Sequence, residues 1–461
     1  MNKDNFQGYK AEALAILQRF NVHVWDNAEV DTTRGHFSGK VLPRAENTDS
    51  KHIVLKLETG YNVGINIDTI TDMSSTTVPQ PVFQIPEKQF PYTEGLPHVK
   101  LLGTGGTIAS RLDYRTGAVI PAFSPGELYG AVPELAEICN LDTEKVFAVF
   151  SENMGPSQYM ALAKQIGKEI ENGIEGIVIG HGTDTLHHTG AALTFMCQNL
   201  PVPVILVGSQ RSSDRPSSDA ALNLMHAMTA AGHGDIAEVL VCMFGPTSDE
   251  YGLLHKGTRV RKMHSSYRST FRTIGDTPIA RVTRAGVTPI KKEYNQRRKD
   301  KNVKIVPVFD DRVAMLYYYP GMKPEMLDSI TENGYKGVVW VGTGLGHVNK
   351  EMYPAIERAH KAGVHQYMTL QTIWGYVHMF VYDTGRDMMA KGIIPAGNML
   401  PEVAFIKLGW ALGQTHDPEE VKKIMLTPIN DEITEREPYN GYLVYQGGSP
   451  EVEEFIKHVH K

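Results

Sequence analysis

Two short stretches carry the residue types from which an acyl-transfer site can be built. The first is Leu101-Leu102-Gly103-Thr104-Gly105-Gly106-Thr107-Ile108-Ala109-Ser110, and the second is His181-Gly182-Thr183-Asp184-Thr185. Each follows an apolar run, precedes a turn, and presents a threonine beside residues that let the backbone approach a ligand. A lysine, Lys262, lies further along in Arg259-Val260-Arg261-Lys262-Met263. A threonine hydroxyl is a poor nucleophile until a base takes its proton. An amide substrate needs its carbonyl polarised and its nitrogen protonated as it leaves. Thr107, Thr183, Asp184 and Lys262 could together supply those roles without a metal or cofactor, which points to hydrolysis of a side-chain carboxamide.

Read singly, each stretch has a plainer alternative. Gly103, Gly105 and Gly106 make a tight turn after a strand, but a dinucleotide fingerprint needs glycine where Ile108 stands, and no phosphate-binding lysine follows. Thr107 alone could cap a turn. A helix starting at Leu186 would aim N–H groups at an anionic ligand, and Asp184 could either cap that helix or bind a substrate ammonium group. His187 and His188 are adjacent, so they diverge on a helix and make a poor metal pair. Lys262 sits among other cations, an arrangement that favours a proton-accepting amine, although taken alone it reads as a surface lysine. The polar loop Ser209 to Pro216 shapes either the pocket or a dimer contact.

The elements that must position these residues fall into two styles. Ala11 to Phe20 suggests a short helix. The runs Val22 to Trp25, His36 to Leu42, His52 to Leu57 and Tyr61 to Ile67 read as strands with turn signals between them, hence a small β-barrel-like domain over 1–73. A Pro-, Gln- and Ser-containing linker covers 74–96. From His98 the pattern becomes strands (Val99 to Leu102, Ile177 to Ile179, Val204 to Val207, Val239 to Phe244) alternating with helices (Tyr159 to Asn172, Ser218 to Ala231). That predicts a larger α/β domain over 97–290, with Ser218 and Asp219 as cap candidates and Gly232 as a stop. The charged stretch 291–303 reads as a solvated connection. A smaller α/β domain over 304–461 includes a strand at Gly337 to Val341, then Gly342 to His347, then a helix from Glu351 to Ala362.

Composition narrows the class. The 461 residues suffice for about three domains, and a net charge of −6 argues against a phosphate-binding surface spread over the protein. Three cysteines without CxxC spacing suit neither a disulfide framework nor a zinc site, and fit a reducing cytoplasm. No apolar signal core opens the chain and no membrane-length apolar run occurs, so a cytoplasmic protein without a membrane anchor is expected.

The motifs Thr104 to Ala109, His181 to Thr185 and Arg259 to Lys262, with Gly385-Arg386-Asp387 and Gly392 to Pro395, resemble the bacterial-type asparaginase/glutaminase family over roughly 97–440. The resemblance implies a two-domain asparaginase-like α/β core with Thr107 as nucleophile. It implies Thr183 and Lys262 as its activating partners, and Asp184 as the group that binds the substrate α-amino end. It also implies Ser151 at the α-carboxylate and Glu152 in the place of a family glutamine. Tyr114 stands in for a tyrosine of the loop after the first motif. About 95 residues precede that motif, an architecture similar to the archaeal D-subunit family of glutamyl-tRNA(Gln) amidotransferases. That likeness implies glutamine hydrolysis here and an E-type partner that uses ATP and Mg and makes most contacts to charged tRNA. It also implies a homodimer within a heterotetramer, with no cofactor in this chain. The alternatives are a free-standing cytosolic asparaginase with an added domain, and a non-catalytic RNA-binding or scaffold protein. The second is weakened by the lack of basic–aromatic alternation in the first 95 residues.

Overall fold

The computed structural model describes residues 6, 8–44, 48–59, 61–76, 90–105, 128, 131–211, 217–246, 248–300 and 302–438, together with the backbone of 110–112 and 119–121. The chain divides into two compact units: residues 1–85 with 111–120, and residues 86–110 with 121–461.

In the first unit, helix α1 (Ala11–Arg19) turns Ala13 and Leu17 onto an antiparallel sheet. Its strands are β1 (Asn27–Thr32), β2 (Gly35–Val41), β3 (His52–Leu57), β4 (Asn62–Asn66) and β5 (Ile70–Thr76), in the order β4-β3-β2-β1-β5. Ala28, Val30, Val41, Ile53, Leu55, Ile65 and Met73 point to the core, one from every second position, as a sheet with one buried face requires. Among the described residues the strands at the two ends of this order, β4 and β5, do not pair with each other. Val22 to Trp25 is not a strand: Val22 and Val24 are buried, but Trp25 has φ of +80° and the segment is a turn. Strand β5 runs to Thr76, beyond the expected end of this domain at 73.

The second unit is built on an eight-stranded sheet. Its strands are β6 (His98–Gly103), β7 (Asn140–Lys145), β8 (Gly176–Gly180), β9 (Val204–Val207), β10 (Val239–Phe244), β11 (Gly252–Lys256), β14 (Ala280–Thr283) and β15 (Gly286–Pro289). A separate two-stranded ribbon, β12 (Val260–Lys262) and β13 (Phe271–Thr273), lies between β11 and β14 in the chain. The order is β15-β14-β11-β10-β9-β8-β6-β7, parallel from β10 to β7 and antiparallel from β10 to β15. Helices α2 (Pro156–Glu171) and α3 (Leu186–Met196) share one core with Ile177, Ile179, Val204 and Leu206. Helix α4 (Ala220–His233) shares the opposite core with Val178, Ile205 and Val207. Both faces of the parallel strands are buried, which is why they read as continuous apolar runs. Helix α4 passes the expected stop at Gly232 and ends at His233, with Gly234 as its C-cap.

The connection at 291–303 is more than a solvated loop. The Arg297 guanidinium donates to the carbonyls of Gly234 at 2.5 Å and Gly232 at 3.1 Å, and also to those of Glu175 and Ala231. It thereby fastens the segment across the end of α4 and the start of β8. A second sheet follows: β16 (Val313–Tyr317), β17 (Gly337–Gly342), β18 (His365–Leu370) and β19 (Ile393–Pro395), all parallel and in chain order. Helices α5 (Glu325–Glu332), α6 (Tyr353–Lys361) and α7 (Asp383–Ala390) join these strands. The helix expected from Glu351 begins as a short 3-10 turn, and α6 proper starts at Tyr353. Helix α8 (Pro401–Leu412) lies against α3, with Phe195 stacked on Trp410 at 5.8 Å, so the two α/β parts share a core. Helix α9 (Pro418–Leu426) packs on α8, and the segment after it is fixed by a fully buried ion pair, Lys407 to Glu432 at 2.5 Å.

Burial holds several histidines neutral. It pushes His181, His188 and His226 down to about 4 and His255 to about 3, and carries His187 in the same direction. An unfolded histidine titrates near ~6.5. Between these values the unfolded chain binds more protons, so stability is complete above about pH 6.5 and is lost as pH falls toward 4. The thermal midpoint is expected to drop steadily from about pH 6.5 to 4.5. A midpoint that held constant or rose over that interval would contradict this burial.

Candidate active site

The chain leaves β6 for β7 at the sheet edge, and β8 then takes the other side of β6. The connections therefore diverge at the carboxyl ends of β6 and β8, and that crevice is where open parallel sheets place their ligands. Both threonine motifs start there. The backbone N–H of Thr104 donates to Gly180 O at 3.1 Å and its hydroxyl to the same oxygen at 2.9 Å, tying the start of one motif to the end of the strand before the other. Gly105 has φ of +117°, and a Cβ there would stand 2.2 Å from Val149 O, so this turn requires glycine.

The second motif is locked on several sides. The fully buried His181 ring contacts Gly182 O through Nδ1 at 2.7 Å and Thr189 Oγ1 through Nε2 at 2.8 Å. Thr185, the N-cap residue of α3, donates its hydroxyl to Ser151 O at 2.5 Å. Ser151 itself is buried in a short 3-10 turn after β7, and a Cβ at position 182 would come within 2.8 Å of Ser151 Cβ. The family resemblance puts Ser151 at a substrate α-carboxylate, so Gly182→Ala, which pushes Ser151 away, is expected to raise the KM for an amino-acid amide about tenfold, with kcat changed less. Steady-state kinetics on the purified variant decides it, and an unchanged KM would remove Ser151 from the substrate's surroundings.

Lys262 reaches into this crevice from the ribbon. Its Nζ donates to Thr183 Oγ1 at 2.9 Å and to Asp184 Oδ1 at 2.6 Å. The lysine side chain is 10% exposed and the aspartate 70%. Asp184 is thus turned to Lys262 and to solvent, while Thr185 occupies the cap position. The cationic surroundings expected for Lys262 from its own segment are corrected by strand alternation. Arg261 points the other way, to Glu402 at 2.8 Å, and the charge beside Lys262 is a carboxylate.

Thr183, Asp184, Lys262 and Ser151 therefore meet at one end of the sheet. Glu152 stands exposed in the same 3-10 turn as Ser151. Thr107 and Tyr114 lie outside the described residues. The sequence reading missed three supports. One is the His181–Thr189 clamp. Another is the side chain of buried Asp219: the residue sits at the N-cap of α4 as expected, but its carboxylate accepts from the N–H groups of Gln210 and Arg211 at 3.0 and 2.9 Å rather than from the helix. The third is the Arg261–Glu402 tether. A signal for the second was present: Asp219 closes the polar sequence run from Ser209 to Ser218 that follows a strand.

Comparison with known proteins places the fold in a class. Residues 98–295 match the family described as "Asparaginase, N-terminal" and residues 312–425 the "Glutaminase/Asparaginase C-terminal domain". The solved L-asparaginase of Thermococcus kodakarensis superposes with a TM-score of 0.64 and 31% identity, covering 73% of this chain and 99% of that one. L-asparaginase I of Vibrio cholerae gives 0.64 and 26%, with the same coverage of each. The core is an asparaginase-type α/β fold. Residues 22–74 match the family described as "GatD N-terminal domain". The D subunit of the glutamyl-tRNA(Gln) amidotransferase of Thermococcus kodakarensis is 46% identical over 435 residues, 93% of this chain and 97% of that protein. Its counterpart in Methanopyrus kandleri is 45% identical over 433 residues, 92% and 94%. The chain belongs to the D-subunit family of glutamyl-tRNA(Gln) amidotransferases.

Proposed function

We propose that the chain is the glutamine-hydrolysing subunit of an amidotransferase that converts Glu-tRNA(Gln) to Gln-tRNA(Gln), releasing ammonia for a partner subunit. Its family membership and asparaginase-type core support this reading over a free-standing asparaginase or a scaffold. The single observation that carries the chemistry is the Lys262 Nζ contact with Thr183 Oγ1 and Asp184 Oδ1 beside the strand ends.

In this reading the Thr107 hydroxyl attacks the side-chain carbonyl of glutamine. Its proton passes, through Thr183 and Lys262, to the departing nitrogen, and ammonia leaves. An ester between Thr107 and the glutamyl group remains. Water, deprotonated by the same pair, then attacks that ester and releases glutamate with the threonine restored. A lysine amine held against a hydroxyl in a largely buried position suits this shuttle, because both protonation states keep the hydrogen bond. Asp184 binds the substrate's ammonium group, and Ser151, with Glu152 and Tyr114, the amino-acid end. The chain needs no cofactor of its own. ATP and Mg serve an E-type partner, which also makes most contacts to charged tRNA. The working assembly is a homodimer of this chain within a heterotetramer in the cytoplasm. Among the described residues no helix is long and apolar enough to cross a membrane.

The experiment is ammonia release from glutamine and from asparagine by the purified chain, alone and with its partner and Glu-tRNA(Gln). The expected result is a preference for glutamine and a rate that rises when partner and charged tRNA are present. Efficient asparagine hydrolysis indifferent to both would favour the free-standing asparaginase instead.

A further inference from the structure

Lys262 is carried on a ribbon that belongs to neither large sheet: among the described residues β12 and β13 pair with each other over three residues, and Met263 N–H to Thr270 O and Ile274 N–H to Arg259 O continue the ladder at its ends. Backbone bonds hold the ribbon together and tie its lead-in to the main sheet, Gly257 N–H donating to Val239 O at 3.1 Å, and side chains on its other face add anchors to the second α/β part. Alternation turns Val260 and Lys262 to one face of this segment and Arg259 and Arg261 to the other. Both guanidiniums enter the second α/β part. Arg259, fully buried, donates to Asn398 O at 2.9 Å and Thr434 Oγ1 at 3.2 Å. Arg261 Nη1 donates to Glu402 Oε2 at 2.8 Å.

Glu402 is an unusual group to find there. It is 3% exposed, in the first turn of α8, where free N–H groups favour a carboxylate. Its Oε1 is buried without a hydrogen-bond partner among the described residues. Burial pushes its carboxyl up, with Arg261 opposing. A buried carboxylate with one oxygen unpartnered is a cost to the fold. What it supplies in return is a fixed direction for Arg261, one residue from the catalytic lysine.

We propose that Glu402 is a positioning residue for the Lys262 ammonium, acting through Arg261 so that the second α/β part sets the Lys262–Thr183 contact. This rests on the reading of Lys262 as catalytic. Glu402 touches no substrate, so its loss lowers kcat and leaves substrate binding nearly intact.

The test uses the full chain with glutamine, measuring kcat, KM and thermal midpoint for Glu402→Ala, Glu402→Gln, Arg261→Met, the Glu402→Ala/Arg261→Met pair and Lys262→Met. Misplacement of a catalytic group by about 1 Å costs up to about 10²-fold. Glu402→Ala and Arg261→Met are each expected to lower kcat by about that factor, with KM within about threefold. The double variant is expected to be no worse than either single one, because both break one tether. Glu402→Gln keeps an acceptor for Arg261 and is expected to recover kcat to within about tenfold of the parent. If Glu402→Ala does not fold, Arg261→Met, on a partly exposed side chain, carries the test. Parent-level kcat in Glu402→Ala or Arg261→Met, with Lys262→Met inactive, overturns the positioning role and leaves the proposed function standing. Parent-level kcat in Lys262→Met overturns both.

Discussion

Replacing Lys262 by methionine is expected to lower the kcat for glutamine hydrolysis by about 10²–10⁴-fold, the usual worth of a positioned acid–base group. Methionine keeps most of the apolar stem and removes the ammonium that donates to Thr183 at 2.9 Å and Asp184 at 2.6 Å. Asp184 is 70% exposed, so leaving it without this partner adds little strain to the fold. The thermal midpoint should therefore stay close to that of the parent while turnover falls. A KM that rose with kcat unchanged would mean that Lys262 only binds substrate. Thr183→Val should reproduce the kcat loss, and combining it with Lys262→Met should add little, because the two groups act as one unit.

Thr107→Ala is expected to have the largest effect of any substitution. Removing a hydroxyl nucleophile costs about 10⁶-fold in comparable acyl-transfer sites. Glutamine-dependent amidation of Glu-tRNA(Gln) should vanish with it. Amidation from added ammonium should persist at the parent rate in the complex, because the partner's activation chemistry does not pass through Thr107. Thr107→Ser keeps the hydroxyl and should retain measurable turnover. Glutaminase activity in Thr107→Ala, or joint loss of both ammonia sources with an intact complex, would contradict the assignment of roles.

Much of this arrangement was legible because the parallel strands are buried on both faces. Ile177 to Ile179, Val204 to Val207 and Val239 to Phe244 stand out as apolar runs bounded by polar loops, and the reactive motifs fall where those runs stop. Strands β1 and β5 were not legible. In Asn27–Thr32 only Ala28 and Val30 face inward, so the segment shows too few apolar positions to announce a strand. Val22 to Trp25 misled in the opposite way, since its apolar residues are buried from a turn. Within the site, local sequence could identify Lys262 but not its neighbours. It suggested a cluster of cations where strand alternation sends Arg261 to Glu402, 141 positions away. Asp184 likewise read as either a helix cap or a ligand-binding group, and the structure puts Thr185 at the cap and turns Asp184 to Lys262.

The most direct measurement is covalent trapping of the nucleophile with a diazoketone analogue of glutamine, followed by peptide mapping. The expected result is a single label on the Thr107 hydroxyl, formed at least about 10²-fold more slowly in Lys262→Met. A label on Thr183 or Ser151, or a labelling rate indifferent to Lys262, would contradict it.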